Sequence, residues 1–158
     1  MISQVDLANV SQSLLACELF SGLTPKYLAK VLPLCSVESW REGSTLFSQA
    51  AAADALYVIT TGGVEITLRR NPTEDERGIV VDRVGTGRVI GWSSLVEPYV
   101  YTAAARATMG TSGIEINGVA LRRLLEADHE MGVQIYKRLM LMLGRRLTQV
   151  YGVLDSLL

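Results

Sequence analysis

Gly62-Gly63-Val64-Glu65-Ile66-Thr67-Leu68-Arg69 decides how the middle of this chain folds. Val64, Ile66 and Leu68 alternate with Glu65, Thr67 and Arg69, and a period of two places each set on its own face of an extended strand. Ile114 and Ile116 repeat the pattern around Glu115. From about Cys35 to Ile116 the reading is therefore β. Glycine interrupts this region at Gly43, Gly62-Gly63, Gly78, Gly85, Gly87, Gly91, Gly110 and Gly113, which implies short strands joined by turns of permissive backbone geometry. Such a series suits a jelly roll or barrel. Residues 71–77, Asn-Pro-Thr-Glu-Asp-Glu-Arg, are wholly polar between two strand patterns and read as an exposed hairpin loop.

On either side the period becomes helical. Val5, Leu7, Val10, Leu14, Leu15 and Leu19 recur at spacings of two to five, as in a helix with one packed stripe. Thr24-Pro25 combines an N-cap hydroxyl with proline at the first helical position and starts a second helix. Asn117 is placed to cap a helix over 119–127, and a longer helix runs from about Asp128 nearly to Leu158. The expected fold class is mainly β with flanking helices, a β-roll or jelly roll. The expected organisation is one domain over 1–158, with N-terminal helices 3–32, β-roll 35–117 and C-terminal helices 118–157. At 158 residues and 49% hydrophobic, such a chain buries roughly 70% of its unfolded surface.

Composition narrows the function classes. A formal net charge of -1 supplies no basic field for a phosphate backbone, so nucleic acid is not an expected partner. Cys17 and Cys35 lack a C-x-x-C spacing and sit in apolar runs, reading as small buried hydrophobes. The N-terminus carries acid and amide instead of a basic region before an apolar core, and the run Leu139–Leu143, flanked by Lys137, Arg138, Arg145 and Arg146, is far short of the ~20 residues of a membrane span. The expected compartment is the cytoplasm, with no membrane partner. His129 is the lone histidine, so neither a multi-histidine metal site nor a histidine-based triad in the β region can be assembled; no enzyme, metal or cofactor is expected. The Arg-Arg pairs at 69–70, 122–123 and 145–146 read as solvated helix or strand faces.

The last helix carries a second signal. Tyr136, Met140, Leu143, Leu147, Val150, Leu154 and Leu157 follow the alternating four-and-three spacing of a heptad seam. Met131, Ile135, Leu139 and Met142 form another stripe displaced around the cylinder. One face is thus expected to pack on the β-roll and the seam to meet a second copy of the chain as a homodimer.

The order of two N-terminal helices, glycine-punctuated strands, a short cassette and a long final helix resembles the cyclic-nucleotide-binding domain superfamily, which includes the catabolite activator protein. The resemblance runs from about Leu19 to Leu154. It is carried by Leu19-Phe20-Ser21-Gly22-Leu23, Leu56-Tyr57-Val58-Ile59 leading to Gly62 and Val64, the turn Gly87-Arg88-Val89-Ile90-Gly91, and Ala103-Ala104-Ala105-Arg106-Ala107. Regulators of that family continue into a helix-turn-helix module; here the chain stops at Leu158, so direct DNA binding is not expected.

The resemblance also implies a phosphate cassette, Gly-Glu-x-Ala-Leu, in which glutamate takes the ribose hydroxyl and an arginine on the next strand pairs with the cyclic phosphate. Here the cassette reads Gly91-Trp92-Ser93-Ser94-Leu95, with Trp92 at the glutamate position. Counting back from Arg106-Ala107, the arginine position falls on Tyr101, between Val100 and Thr102. Arg106 lies an odd number of residues away and is expected on the opposite face. Burying a phosphodiester without its cation costs on the order of 3–5 kcal/mol, a ~10²–10³-fold loss. The positions offering hydroxyls to the purine align with Val150 and Tyr151.

The expected ligand site is therefore Gly91, Trp92, Ser93, Ser94, Leu95, Tyr101, Thr102, Val150 and Tyr151. It would suit a planar or weakly anionic, nucleotide-like small molecule. Three functions fit: a ligand-sensing dimer that does not take cAMP or cGMP in the usual way, a structural dimerisation or protein-interaction module whose pocket has collapsed around Trp92, and a cyclic nucleotide sensor with an unusual site.

Overall fold

The computed structural model describes residues 4–71 and 78–158. The hairpin loop expected over 71–77 thus lies almost wholly outside the described residues. Helix α1, Gln4–Ala16, is followed by turns through Gly22, helix α2, Pro25–Val31, and a 3-10 turn, Leu32–Leu34. Among the described residues eight strands come next: β1 Cys35–Trp40, β2 Thr45–Phe47, β3 Ala55–Thr61, β4 Val64–Leu68, β5 Ile79–Val84, β6 Val89–Ile90, β7 Ala104–Ala107 and β8 Thr111–Asn117. Helices α3, Gly118–Ala127, and α4, His129–Leu157, close the chain.

The strands form two antiparallel four-stranded sheets, ordered β1-β8-β3-β6 and β2-β7-β4-β5. Strand β3 shows why the roll is stable. Its Leu56 and Val58 enter a core shared with the helices, while Ala55, Tyr57 and Ile59 pack between the sheets against Val64, Val84, Ile90 and Ala105. A strand buried on both faces reads as a continuous apolar run, which is what 55–59 show. Strand β4 departs from the strict alternation expected of it: Val64 and Thr67 are buried, Glu65 and Ile66 half-buried, and Leu68 is exposed at its end.

The helices depart from the sequence reading in two places. Helix α1 stops at Ala16, and Cys17, Leu19 and Phe20 all enter the core through the following turns. In a continued helix residues 17 and 19 would point some 200° apart and could not share one core. Thr24 does stand at the N-cap of α2 ahead of Pro25, but its hydroxyl makes no capping bond; its carbonyl accepts from the Tyr27 and Leu28 N–H groups. The Asn117 and Asp128 side chains do cap, accepting from the Ala120 and Met131 N–H groups.

One stripe of α4, formed by Met131, Ile135, Leu139 and Met142, is buried in the helix-side core. The heptad stripe is different: Tyr136 and Leu143 are half-buried, while Met140, Leu147, Val150, Leu154 and Leu157 are exposed. No helix among the described residues is long and apolar enough to cross a membrane.

Candidate functional site

The site grows from the end of β6. Gly91 follows Ile90 with φ 81°, and a Cβ placed there would approach the Ala55 carbonyl oxygen to 2.8 Å, so glycine is what the turn requires. The chain then winds into a 3-10 turn, Trp92–Leu95, in which the Ser94 Oγ and N–H both donate to the Gly91 carbonyl. After a cis Glu97-Pro98 bond the backbone returns along Ala51–Ala53 and delivers Tyr101 into the roll.

Tyr101 is buried. Its hydroxyl donates to the Ala55 carbonyl at 2.7 Å and accepts from the Ala55 N–H at 3.3 Å. Its ring stacks on Phe47 with centroids 4.0 Å apart, and Phe47 stacks in turn on Tyr57. Burial pushes the Tyr101 phenol above its ordinary range, so it stays a neutral group at physiological pH.

Between this turn, the β4–β5 pair and the C-terminal half of α4 lies a cavity of about 670 Å³. Gly91, Trp92, Ser93, Tyr101, Thr102 and Val150 line it. The other expected residues stand elsewhere: Ser94 and Leu95 are buried, Leu95 in the helix-side core, and Tyr151 is exposed outside the lining. Trp92 is half-buried against the helix-side core and leaves the cavity open.

Much of the wall was not anticipated. Phe47 and Ile66 come from the second sheet, Ile79, Val80 and Val81 from β5, and Val153 from α4. A period-two pattern shows that a strand has two faces but not which face borders a cavity. Arg106 is not part of the lining; it is exposed and donates to the Gly43 carbonyl. Tyr101 precedes β7 instead of lying within it, so the strand alternation invoked between them does not apply, although Tyr101 is buried and Arg106 exposed.

Arg146 corrects the reading of residues 145–146 as a solvated face. Its guanidinium pairs with Glu18 at 2.6 Å and also donates to the Val89 carbonyl, while Glu18 accepts from the Val89 N–H. Burial lowers the Arg146 pKa, opposed by the Glu18 charge, and the Nε is buried with no hydrogen-bond partner. Beside it Arg88 pairs with Asp82 at 3.1 Å. Arg122 is not fully solvated either: its guanidinium lies 3.7 Å from the Tyr99 ring centroid.

The cysteines stay apart from this site. Cys17 is buried, and Cys35 donates to the Val31 carbonyl, with burial pushing its thiol up to about 12. His129 is exposed, and among the described residues no group of three His, Cys, Asp or Glu is placed to hold a metal ion.

Comparison with known proteins agrees with this architecture. A Rhodopseudomonas palustris protein assigned as a potassium channel is 29% identical over 117 residues, 74% of this chain and 27% of its own. The CRP-like cAMP-activated global transcriptional regulator of Mycobacterium tuberculosis is 26% identical over 140 residues, 89% of this chain and 59% of its own. The chain thus spans less than two thirds of either relative. A crystal structure of a Geobacter metallireducens protein assigned to cyclic nucleotide binding superposes with a TM-score of 0.77 at 29% identity, covering 87% of this chain and 97% of that one. The family model for the cyclic nucleotide-binding domain matches residues 37–128, from β1 to the cap of α4. With the two-sheet roll, the Gly91 turn and the flanking helices in place, the chain belongs to the cyclic nucleotide-binding domain family.

Proposed function

We propose that the chain is a regulatory sensor module that does not bind cAMP or cGMP through the usual charged contacts, and that it signals as a homodimer joined along α4. Its relatives, assigned as a potassium channel and as a cAMP-activated transcriptional regulator, support a regulatory role. One observation carries the departure from cyclic nucleotides. At the position where the family resemblance implies a phosphate arginine, the Tyr101 hydroxyl is committed to both backbone groups of Ala55.

Trp92 at the glutamate position compounds this, since indole offers one donor and no acceptor to a ribose hydroxyl. The remaining cation on the wall, among the described residues, is Arg146, already paired with Glu18. Isothermal calorimetry with cAMP and cGMP tests the reading. No saturable binding is expected below 100 µM, equivalent to roughly 5.5 kcal/mol; a tighter constant makes this a cyclic nucleotide sensor with an unusual site and overturns the proposal. The alternative of a structural module with a collapsed pocket is disfavoured by the open cavity of about 670 Å³, a volume typical of small-molecule sites.

A further inference from the structure

We infer that the cavity between the Gly91 turn, β4–β5 and α4 binds an uncharged, predominantly apolar small molecule. The inference rests on the reading that the cyclic-nucleotide phosphate site has been lost, and it names the ligand class that replaces it. Apart from Asp82, Ser93, Thr102, Arg146 and Gln149, the wall consists of apolar and aromatic side chains, glycine, and the Tyr101 ring. Its two sides face each other with apolar residues that water now wets: Ile79 and Val81 on β5 are 58% and 47% exposed, and Val153 and Leu154 on α4 are 59% and 52% exposed. Covering such a pair of surfaces is favourable because it removes apolar area from water.

Charge excludes the anions that this family's fold accommodates elsewhere. Glu18 with Arg146 and Asp82 with Arg88 make two adjacent ion pairs of zero net charge at the cavity edge. An anion entering there must displace a carboxylate or go unpaired in a low-dielectric site, and either course is costly. Size argues for a small molecule over a helix of a partner. An α-helix with side chains is about 10–12 Å across, so a cavity of about 670 Å³ holds little more than one turn. The closed end, formed by buried Ile90, Ser93 and Tyr101, stops a helix from passing through.

Two fluorescent probes that differ by one charge test this on the purified chain: N-phenyl-1-naphthylamine and its sulfonated analogue 8-anilino-1-naphthalenesulfonate. The uncharged probe is expected to bind with a stoichiometry of one per protomer and at least about tenfold more tightly than the sulfonate. Ile79→Lys and Val153→Lys, both at exposed positions tolerant of charge, should each weaken it about tenfold or more. Leu141→Asp, at an exposed α4 position outside both the lining and the heptad stripe, should leave it unchanged.

Absence of saturable binding, equal affinity for both probes, or indifference to both lysine variants overturns the inference while leaving the proposed loss of cyclic nucleotide binding intact. Loss of probe binding on Leu141→Asp overturns it too, by assigning the probe to the exposed surface of α4. Tight cAMP binding in calorimetry is the separate result that removes the underlying reading.

Discussion

Tyr101 does the work of a strand at a point where the sheet lacks one. Strand β6 pairs with Tyr57 and Val58 of β3, and its chain turns away at Gly91. The Tyr101 hydroxyl serves the N–H and C=O of Ala55 just beyond, groups that are otherwise buried. Tyr101→Phe keeps the stack on Phe47 and removes this bridge, so it is expected to destabilise the fold by about 1–3 kcal/mol in urea unfolding, with little change in slope. An unchanged midpoint would show that water replaces the hydroxyl without cost. The substitutions at Trp92 and Tyr101 were legible in the sequence because a charged side chain is either present at a position or not. That Tyr101 closes the sheet was not legible, since its partner Ala55 lies 46 residues away.

Among the elements, α4 is held to the rest of the fold by polar contacts at its first turn and beyond its middle. Asp128 caps it by accepting from Met131 N–H and also pairs with Lys30 of α2 at 2.7 Å. The Lys30 hydrogen bond first, then the Met131 N–H, hold the Asp128 carboxyl below its ordinary range. A carboxyl depressed in the folded state stabilises the fold above its unfolded value, about 3.9, and loses that contribution as pH falls through its lower folded value. Asp128→Asn should therefore narrow the gap between unfolding midpoints measured at pH 7 and pH 3 relative to the parent chain. A gap of unchanged size would place the acid sensitivity elsewhere. Further along, Gly132 lets α3 and α4 approach closely, since a Cβ there would come within 2.5 Å of the Leu125 carbonyl oxygen.

For the whole molecule the unburied seam of α4 matters most. Met140, Leu147, Val150, Leu154 and Leu157 remain exposed along one stripe, although the neighbouring stripe of Met131, Ile135, Leu139 and Met142 is fully packed. A regular heptad stripe open to water favours a second helix. Leu147→Asp with Leu154→Asp is expected to yield a monomer in sedimentation velocity without lowering the helix content seen by circular dichroism, because neither residue supports the packed core. A dimer that survives the double substitution would move the contact to another surface. Val150 and Leu154 belong both to this stripe and to the cavity wall, so the proposed ligand and the proposed dimer contact would share one helix.

The amino-acid sequence by itself determined the two-residue period of the strands, the glycine punctuation of the roll, the long final helix and the missing charges at Trp92 and Tyr101. Each is local: a period or a residue type can be read within a few positions. Tertiary structure alone decided that Glu18 neutralises Arg146 across 128 residues, that β5 supplies an apolar cavity wall, and that one stripe of α4 is buried while the other stays open. These depend on which surfaces meet once the two sheets close. Hydrophobic burial is non-directional, so an apolar residue carries the tendency to be covered but not the identity of what covers it.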